Sequence, residues 1–308
     1  MSTGTGLYQR ILVPTDGSDG AETAARGAIT MAASMDATVV AMHVLSIPDI
    51  PGALEADFQS ELQRQATERV SRIEDMCDDQ GVPVDTTVTS TRDPAHTVIV
   101  KYAHEKDIDC IVMGTTGRSG IRRLALGSVA ERTVRGAPVP VMTFHADTTF
   151  PTVPEQFLVP TDGSDGSAAA VDQAIALAAR YDAGLHVLHA VDVQPMAKSE
   201  TAGLYDSLEE LGEDAINDVR ERALENGVTR VEASIVSGRP DNAIVEYTKQ
   251  RDIDAVIMGT HGRTGLRRLW LGSVTERVIR SCRTPVLTVK PEEVREQLSI
   301  PDPVVSVD

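Results

Sequence analysis

Basic side chains are scarce in this 308-residue chain, and lysine above all. Lys and Arg number 29, of which only five are lysine, against 46 Asp and Glu, so the formal net charge is −17. Nucleic-acid and anionic-membrane binders need a basic face, so we expect neither as a partner. An acidic shell with little lysine is typical of proteins that work in concentrated salt, where screening removes self-repulsion. An ordinary acidic cytosolic protein is the alternative.

Cysteine and long apolar runs are also scarce. The three cysteines, Cys77, Cys110 and Cys282, are far apart, odd in number and without metal-ligand spacing, so a disulfide framework is not expected. Cys110 lies in an apolar run and is expected in the core. No stretch approaches the roughly 18 apolar residues of a membrane span, and the first six residues lack a signal-peptide pattern. We expect a soluble, cytoplasmic protein.

Several well-known catalytic patterns are missing from the sequence. It has no Gly-x-x-x-x-Gly-Lys-Ser/Thr loop and no Gly-x-Gly-x-x-Gly after its first predicted strand, which disfavours P-loop hydrolases and nicotinamide dehydrogenases. No Ser/His/Asp or Cys/His arrangement and no His and Cys metal cluster can be assembled. We therefore predict no catalytic residues.

What the chain does contain is an internal repeat. Leu12–Gly20 recurs letter for letter as Leu158–Gly166, and Asp107–Arg135 recurs as Asp252–Arg280 with 19 of 29 positions identical. The offsets of 146 and 145 residues are far longer than a solenoid repeat, so we predict two duplicated domains. The predicted divisions are domain 1 at 1–146, a linker at 147–154, domain 2 at 155–290 and a tail at 291–308.

Each copy alternates short apolar strands with helices. In the first copy the strands are predicted at 10–13, 38–45, 82–90, 108–113 and 139–144, and the helices at 18–35, 57–80, 95–105 and 128–135. The second copy repeats this order from Phe157 to Val289. Such alternation predicts an α/β fold with two tandem, doubly wound, open parallel five-stranded sheets. Ligands of such Rossmann-like sheets bind beyond the carboxyl ends of the strands.

Glycine spacing supplies the strongest functional signal. Gly114-Thr-Thr-Gly117 is followed after nine residues by Gly127-Ser128, and the second copy keeps this spacing. Glycines after a strand allow a positive φ and close approach of a ligand, and the second glycine then opens a helix whose amino end attracts anions. Structural turns are the alternative, but the retained spacing favours phosphate binding. The second-copy residues are Gly259, Gly262, Gly272 and Ser273.

A carboxylate ends the first strand of each copy, Asp16 and Asp162, in the motif Pro-Thr-Asp-Gly-Ser-Asp. It can accept from a ribose hydroxyl or join phosphates in holding Mg²⁺, while capping the next helix is its alternative role. Ser18 and Ser164 are predicted as helix N-caps, with the acids Asp19 and Asp165 in the first turn.

The Pro-x-Asp-x-Ser start, the Met-Gly-x-x-Gly-x9-Gly-Ser loop and the doubly wound pattern resemble the universal stress protein family, in particular its tandem members. The resemblance covers nearly all of both copies and implies an adenine-nucleotide α-hydrolase-like fold that binds ATP, ADP or AMP with Mg²⁺. It implies that Asp16 meets the adenosine end, that Val44 offers its backbone to adenine, and that Met113 and Gly114 close the wall. The implied nucleotide-binding residues are Pro14, Thr15, Asp16, Val44, Met113, Gly114, Gly117, Gly127, Ser128 and Val129 in the first copy. In the second they are Pro160, Thr161, Asp162, Ala190, Met258, Gly259, Gly262, Gly272, Ser273 and Val274.

Other polar residues are weaker candidates. Arg122, Arg123, Arg267 and Arg268 could neutralise a triphosphate or pair with the acidic surface. His43 and His189 are expected to be buried and hydrogen-bonded, His261 replaces Thr116 of the first copy, and Trp270 is expected to pack. Arg92 stands where the second copy has Gly238, which could alter the rim of the first pocket.

The leading hypothesis is therefore a non-catalytic, regulatory nucleotide-binding protein of a stress response. A slow ATPase or adenylyl-transfer enzyme on the same fold and an interaction module without nucleotide are the alternatives. The resemblance also implies dimerisation through last strands. Val139–Phe144 and Pro285–Val289 are thus predicted to pair within the chain as an internal dimer, and a homodimer of whole chains is a further possibility.

Overall fold

The computed structural model describes residues 7–46, 55–117, 126–192, 202–262, 271–291 and 294. Within them, strands and helices alternate along both repeats, as the apolar pattern predicts. The first repeat contains β1 (Arg10–Pro14), α1 (Asp19–Met35), β2 (Thr38–Ser46), α2 (Glu55–Asp78), β3 (Val84–Thr91), α3 (Ala95–Glu105), β4 (Cys110–Gly114), α4 (Ser128–Gly136) and β5 (Val141–Phe144). The second contains β6 (Gln156–Pro160), α5 (Asp165–Tyr181), β7 (Gly184–Val191), α6 (Ala202–Glu225), β8 (Val231–Ser237), α7 (Pro240–Gln250), β9 (Ala255–Gly259), α8 (Ser273–Ser281) and β10 (Val286–Val289). The tail predicted at 291–308 lies almost wholly outside the described residues.

Three strands begin two residues later than predicted, because the intervening backbone groups have other partners. The N–H groups of Val82 and Ile108 donate to the carbonyls of Cys77 and Ala103, and these bonds end the preceding helices α2 and α3. Pro140 precedes β5 and has no N–H to donate to the sheet. The strands β3, β4 and β5 therefore begin only where ladder bonds can form.

Each repeat forms a five-stranded parallel sheet in which the first strand lies between the second and the fourth. The strand order is β3-β2-β1-β4-β5 in the first repeat and β8-β7-β6-β9-β10 in the second. The chain therefore winds outward in both directions from β1. The connections that follow β1 and β4 lead to helices on opposite faces of the sheet, which leaves a crevice between them. This is the doubly wound α/β architecture that the sequence predicts.

The last strands of the two repeats pair with each other, as predicted. β5 and β10 run antiparallel with Val286 opposite Thr143 and Leu287 opposite Met142, which joins the two sheets into one of ten strands. The hydroxyl of Thr143 donates to the carbonyl of Val286 at 3.2 Å, and that of Thr288 donates to Val141 at 3.0 Å. The pairing covers one edge of each sheet and leaves β3 and β8 as the outer edges.

Two apolar cores lie on opposite faces of this sheet, and each contains residues from both repeats. Successive residues of β1 alternate between them: Ile11 and Val13 face one core, and Leu12 faces the other. Phe157 and Leu158 of β6 alternate in the same way. Because both cores continue across the β5–β10 pairing, the repeats share buried apolar surface as well as hydrogen bonds.

The three cysteines are free and buried, and Cys110 lies in the core as expected. Burial raises the pKa of the Cys77 thiol to about 12, and burial also raises the pKa of Cys110. The thiols of Cys77 and Cys110 therefore stay protonated near neutral pH. Over the described part of the chain, the helices are too short or too polar to cross a membrane.

The pKa values of three histidines indicate how the stability of the fold depends on pH. Burial lowers the pKa of His145, His186 and His261 below the ordinary value of 6.5. Below pH 6.5 the unfolded chain therefore binds more protons than the folded one, and the free energy of unfolding falls as the pH is lowered. For the almost fully buried His145 the slope is at most about 1.4 kcal/mol per pH unit.

Urea unfolding between pH 7.5 and 5.5 measures this slope, and the His145→Gln variant should reduce it. A free energy of unfolding that stays constant from pH 7.5 to 5.5 would contradict the prediction.

Candidate functional site

A cavity of about 400 Å³ opens at the carboxyl ends of the first-repeat strands, between β1 and β4, where the strand order reverses. Open α/β sheets bind their ligands at this position, and the volume lies within the range of small-molecule sites. The structure brings all ten first-repeat residues of the sequence prediction to its wall. They are Pro14, Thr15, Asp16, Val44, Met113, Gly114, Gly117, Gly127, Ser128 and Val129.

Nine further residues line this cavity that were not among the predicted binding residues: Ser18, Ala21, Met42, His43, Ala95, Ile99, Thr115, Thr116 and Ala130. Thr115 and Thr116 lie inside the predicted glycine loop, so the loop itself signals them. Ile99 of α3 and Met42 of β2 carry no such signal, because a buried apolar residue looks the same whether it lines a cavity or fills a core. With Met113 they make one wall apolar.

A tight turn after β1 positions Asp16. The Thr15 N–H donates to the Met42 carbonyl at 2.8 Å, Gly17 adopts a φ of +78°, and the Ser18 N–H donates to Asp16 Oδ1 at 3.0 Å. Ser18 then caps α1 as predicted, because its Oγ accepts from the Ala21 N–H at 3.3 Å. One carboxylate oxygen of Asp16 is thus engaged by its own turn.

The glycines of the loop are required by close approach and not by a positive φ. Gly114 and Gly117 are absent from the positive-φ residues, and Gly127 has a φ of −65°, so the expectation of left-handed backbone is wrong for them. A Cβ at Gly114 would lie 2.7 Å from the carbonyl carbon of Gly20, and one at Gly117 would lie 2.5 Å from Asp16 Oδ2. Each side chain would push the loop away from the β1 turn.

The amino end of α4 faces the same cavity without a side-chain cap. Gly127 occupies the N-cap position and has no side chain to bond the first-turn N–H groups, whereas α1 uses Ser18. The Gly127 N–H itself donates to the Thr115 carbonyl at 2.7 Å, which closes the loop against the helix. An uncapped helix amino end in a cavity offers N–H donors and a positive dipole end to an anion.

His43 lies in the cavity wall and is buried and hydrogen-bonded, as predicted. Arg69 of α2 donates from Nη1 to His43 Nε2 at 3.0 Å, so the proton of a neutral ring is on Nδ1, which then donates to the Thr15 carbonyl at 2.6 Å. Both ring nitrogens are therefore occupied by protein groups, and the histidine braces the β1 turn.

The second repeat places its predicted residues at corresponding positions. Pro160, Thr161 and Asp162 end or follow β6, Ala190 lies in β7, and Met258 and Gly259 end β9. Gly262 follows in the loop, Gly272 is the N-cap of α8, and Ser273 and Val274 form its first turn.

The second-repeat loop closes in the same way as the first. The Gly272 N–H donates to the Thr260 carbonyl at 2.8 Å, and a Cβ at Gly262 would lie 3.0 Å from Asp162 Oδ2. His189 is buried as predicted, with Nδ1 2.9 Å from the Thr161 carbonyl.

The prediction for Ser164 is wrong in one respect. Ser164 lies at the N-cap of α5, but its side chain does not cap the helix. Its Oγ donates instead to Asp162 Oδ1 at 2.5 Å, and its N–H donates to the same oxygen at 3.1 Å. The acids Asp19 and Asp165 do lie in the first turns of α1 and α5.

Some predicted features lie outside the described residues: Arg122, Arg123, Arg267, Arg268 and Trp270. In the ranges that the structure covers, no group of three or more His, Cys, Asp and Glu side chains is arranged to hold a metal ion.

Comparison with known proteins identifies the family. The model of the universal stress protein family matches residues 7–145 and again 155–290. A universal stress protein of Methanocaldococcus jannaschii is 39% identical over 140 residues, which cover 44% of this chain and 82% of that protein. One from Mycolicibacterium smegmatis is 28% identical over 303 residues, which cover 91% of this chain and 97% of that one.

A solved structure of similar length agrees with the fold. The crystal structure of a universal stress protein from Archaeoglobus fulgidus superposes with a TM-score of 0.67 at 22% identity, covering 92% of this chain and 98% of that one. A universal stress protein solved in complex with cAMP is 30% identical, covers 45% of this chain and 98% of that one, and has a TM-score of 0.36. Since the family model matches both repeats, this chain belongs to the universal stress protein family and carries two copies of its domain.

Proposed function

We propose that each repeat binds one adenine nucleotide, ATP, ADP or AMP, and that the protein is a regulatory, non-catalytic member of a stress response. The domains are residues 1–146 and 155–290, joined by a linker at 147–154 and followed by a tail at 291–308. One observation carries the proposal: a cavity at the strand-order reversal is lined on one side by an uncapped helix amino end and on another by the carboxylate of Asp16.

The lining residues suit the parts of a nucleotide. Asp16 at one end can accept hydrogen bonds from ribose hydroxyls, and the apolar wall of Met42, Ile99 and Met113 suits the faces of a purine ring. The backbone of Val44 is the proposed partner of the adenine edge. The first-turn N–H groups of α4 and the hydroxyl of Ser128 are the proposed phosphate donors, and Gly117 leaves room for them. In the second repeat Asp162, Ala190, Gly262 and Ser273 take these roles.

A magnesium ion would enter with the phosphates. Among the described residues that line the cavity, Asp16 is the one carboxylate, so the protein would supply at most one charged oxygen ligand. Mg²⁺ held by one carboxylate and by phosphate oxygens fits this donor set. The ion would neutralise phosphate charge that neither lysine nor arginine meets among the described residues of the cavity wall.

The same lining supports a binding role over a catalytic one. General base catalysis at a phosphate needs a free imidazole or carboxylate within reach of the attacking water. His43 has both ring nitrogens occupied, by Arg69 and by the Thr15 carbonyl. Asp16 uses one oxygen in its own turn. A slow ATPase or adenylyl-transfer enzyme stays the second candidate, and an interaction module without nucleotide the third.

Titration calorimetry in high salt tests the binding. We expect heat with ATP, ADP or AMP and up to two sites per chain, with cAMP and GTP as further ligands that measure selectivity. No heat with any adenine nucleotide would refute the pocket assignment. Mass spectrometry of a long incubation with ATP separates the candidates, since accumulation of ADP that ceases in the Gly127→Val variant would favour the enzyme.

The cellular setting is part of the proposal. An acidic protein with five lysines fits a cytoplasm rich in salt, and a homodimer of whole chains is a further expectation. Light scattering at low and at molar salt measures both the state of association and the dependence of compactness on screening.

A further inference from the structure

The residue that follows the last strand of each repeat reaches into the other repeat. His145 follows β5 and Lys290 follows β10, and both side chains are buried, with exposures of 8% and 4%. Sequence alignment of the repeats at the 145-residue offset makes them equivalent positions. A buried lysine and a buried histidine at equivalent places are costly unless each has a partner.

Each of them binds the carboxyl end of the helix that follows the glycine loop in the opposite repeat, α4 for Lys290 and α8 for His145. Lys290 Nζ donates to the Val134 carbonyl at 2.7 Å and the Ala137 carbonyl at 2.6 Å, at the end of α4. His145 Nε2 lies 2.7 Å from the Ile279 carbonyl near the end of α8, and since a carbonyl only accepts, Nε2 donates. Donors at a helix carboxyl end satisfy its unpaired carbonyls and complement its dipole.

The amino ends of these two helices are the proposed phosphate sites. α4 begins after Gly127 in the first cavity, and α8 begins after Gly272 at the corresponding place in the second repeat. Each helix has nine residues, so its two ends are about 13 Å apart at 1.5 Å per residue. A short helix moves as one body, so a shift of its amino end also moves its carboxyl end and the residue bound there.

His145 and the residue before Lys290 also contact the glycine loops of their own repeats. Thr115, which lines the first cavity, has its Oγ1 3.0 Å from His145 Nδ1, and a neutral His145 that donates from Nε2 accepts there. In the second repeat the equivalent Thr260 contacts His261 Nδ1 at 2.8 Å. The Thr260 N–H also donates to the carbonyl of Val289, the residue before Lys290, at 3.0 Å. Burial, and then the positive charge of Lys290, lowers the pKa of His261, in agreement with this placement.

We propose that His145 and Lys290 are positioning residues that couple the two nucleotide sites. Nucleotide on the first loop orders Thr115 and α4, and through His145 and Lys290 this orders α8 and the loop of the second repeat. The second nucleotide then loses less conformational freedom on binding, so the coupling is positive. This inference rests on the proposed function, because it requires ligands at both loops.

Calorimetry on site-blocked chains tests the coupling. The affinity of each site with the other empty comes from Gly117→Val, which blocks the first site, and from Gly262→Val, which blocks the second. We expect at least one site to bind ATP about fivefold or more tightly in the unblocked chain than in these variants. His145→Leu should remove this difference, while His145→Gln, which keeps a donor and an acceptor, should retain it. His104→Leu, at an exposed position of α3, is the matched control.

A second measurement needs no change at the β5–β10 pairing. In Gly262→Val, ATP bound at the first site should increase the hydrogen-exchange protection of residues 273–281 in α8. Two binding sites whose affinities do not depend on each other, or a coupling that His145→Leu leaves unchanged, would overturn the inference while the proposed function stands. Absence of nucleotide binding in the unmodified chain would overturn both, and the calorimetry separates the two failures.

Discussion

Replacing Gly117 by valine is expected to weaken nucleotide binding at the first site by a hundredfold or more, about 2.7 kcal/mol. A Cβ at this position would lie 2.5 Å from Asp16 Oδ2, and the two further methyl groups of valine would occupy the space between the loop and the β1 turn. The variant therefore displaces Asp16, the proposed ribose acceptor, and at the same time narrows the cavity. Gly262→Val should act in the same way on the second site, where the corresponding distance to Asp162 Oδ2 is 3.0 Å.

The measurement is titration with ATP on each variant and on a matched glycine substitution. Gly136→Ala is the control, because it ends α4 but its Cβ would lie 3.5 Å from Val100, an ordinary van der Waals distance. We expect the control to bind like the unmodified chain, and circular dichroism to show that all three variants are folded. Unchanged affinity in both Gly117→Val and Gly262→Val would show that the loops do not hold the nucleotide.

Replacing Gly27 by leucine is expected to cost about 3 kcal/mol of folding free energy, at the upper end of the usual effect of overpacking. Gly27 lies in the buried face of α1, and its Cβ would lie 2.7 Å from Cε1 of the fully buried Phe144. The ring cannot move aside easily, because Phe144 lies in β5 next to the pairing with the second repeat. The loss therefore includes strain at the junction of the two sheets.

The second repeat indicates how this cost is relieved. The equivalents of Gly27 and Phe144 are Gln173 and Val289, so a larger helix residue there accompanies a smaller strand residue. We expect the Gly27→Leu, Phe144→Val double variant to be less destabilised than the sum of the two single variants by about 1–3 kcal/mol. Ala33→Leu, on the exposed face of α1, is the control and should change stability little. Urea unfolding of the four variants measures these free energies, and strict additivity would contradict the proposed contact.

How much the sequence predicts depends on how local the signal is. The sequence predicts helix α3 at its observed bounds, because its apolar spacing lies within the segment itself. Asp16, Gly114, Gly117, Gly127 and Ser128 of the first site follow from a strand-end acid and from glycine spacing, which are again local patterns. The other five first-repeat residues of the prediction follow only from the family resemblance. The side-chain cap at Ser164 was predicted from the same pattern as Ser18 and was wrong, since Asp162 competes for the hydroxyl.

The duplicated unit, the alternation of strands and helices, and the glycine loop after the fourth strand of each copy can all be predicted from the amino-acid sequence. These features follow from periodicity and from residue types that act on their own backbone. Three features are visible only in the folded chain: Ile99 lines the cavity, Arg69 donates to His43, and His145 and Lys290 bind helices of the opposite repeat. These contacts join residues up to 156 positions apart. They depend on how the sheet brings distant segments together, and a local sequence pattern does not identify the residue that will lie beside it in the fold.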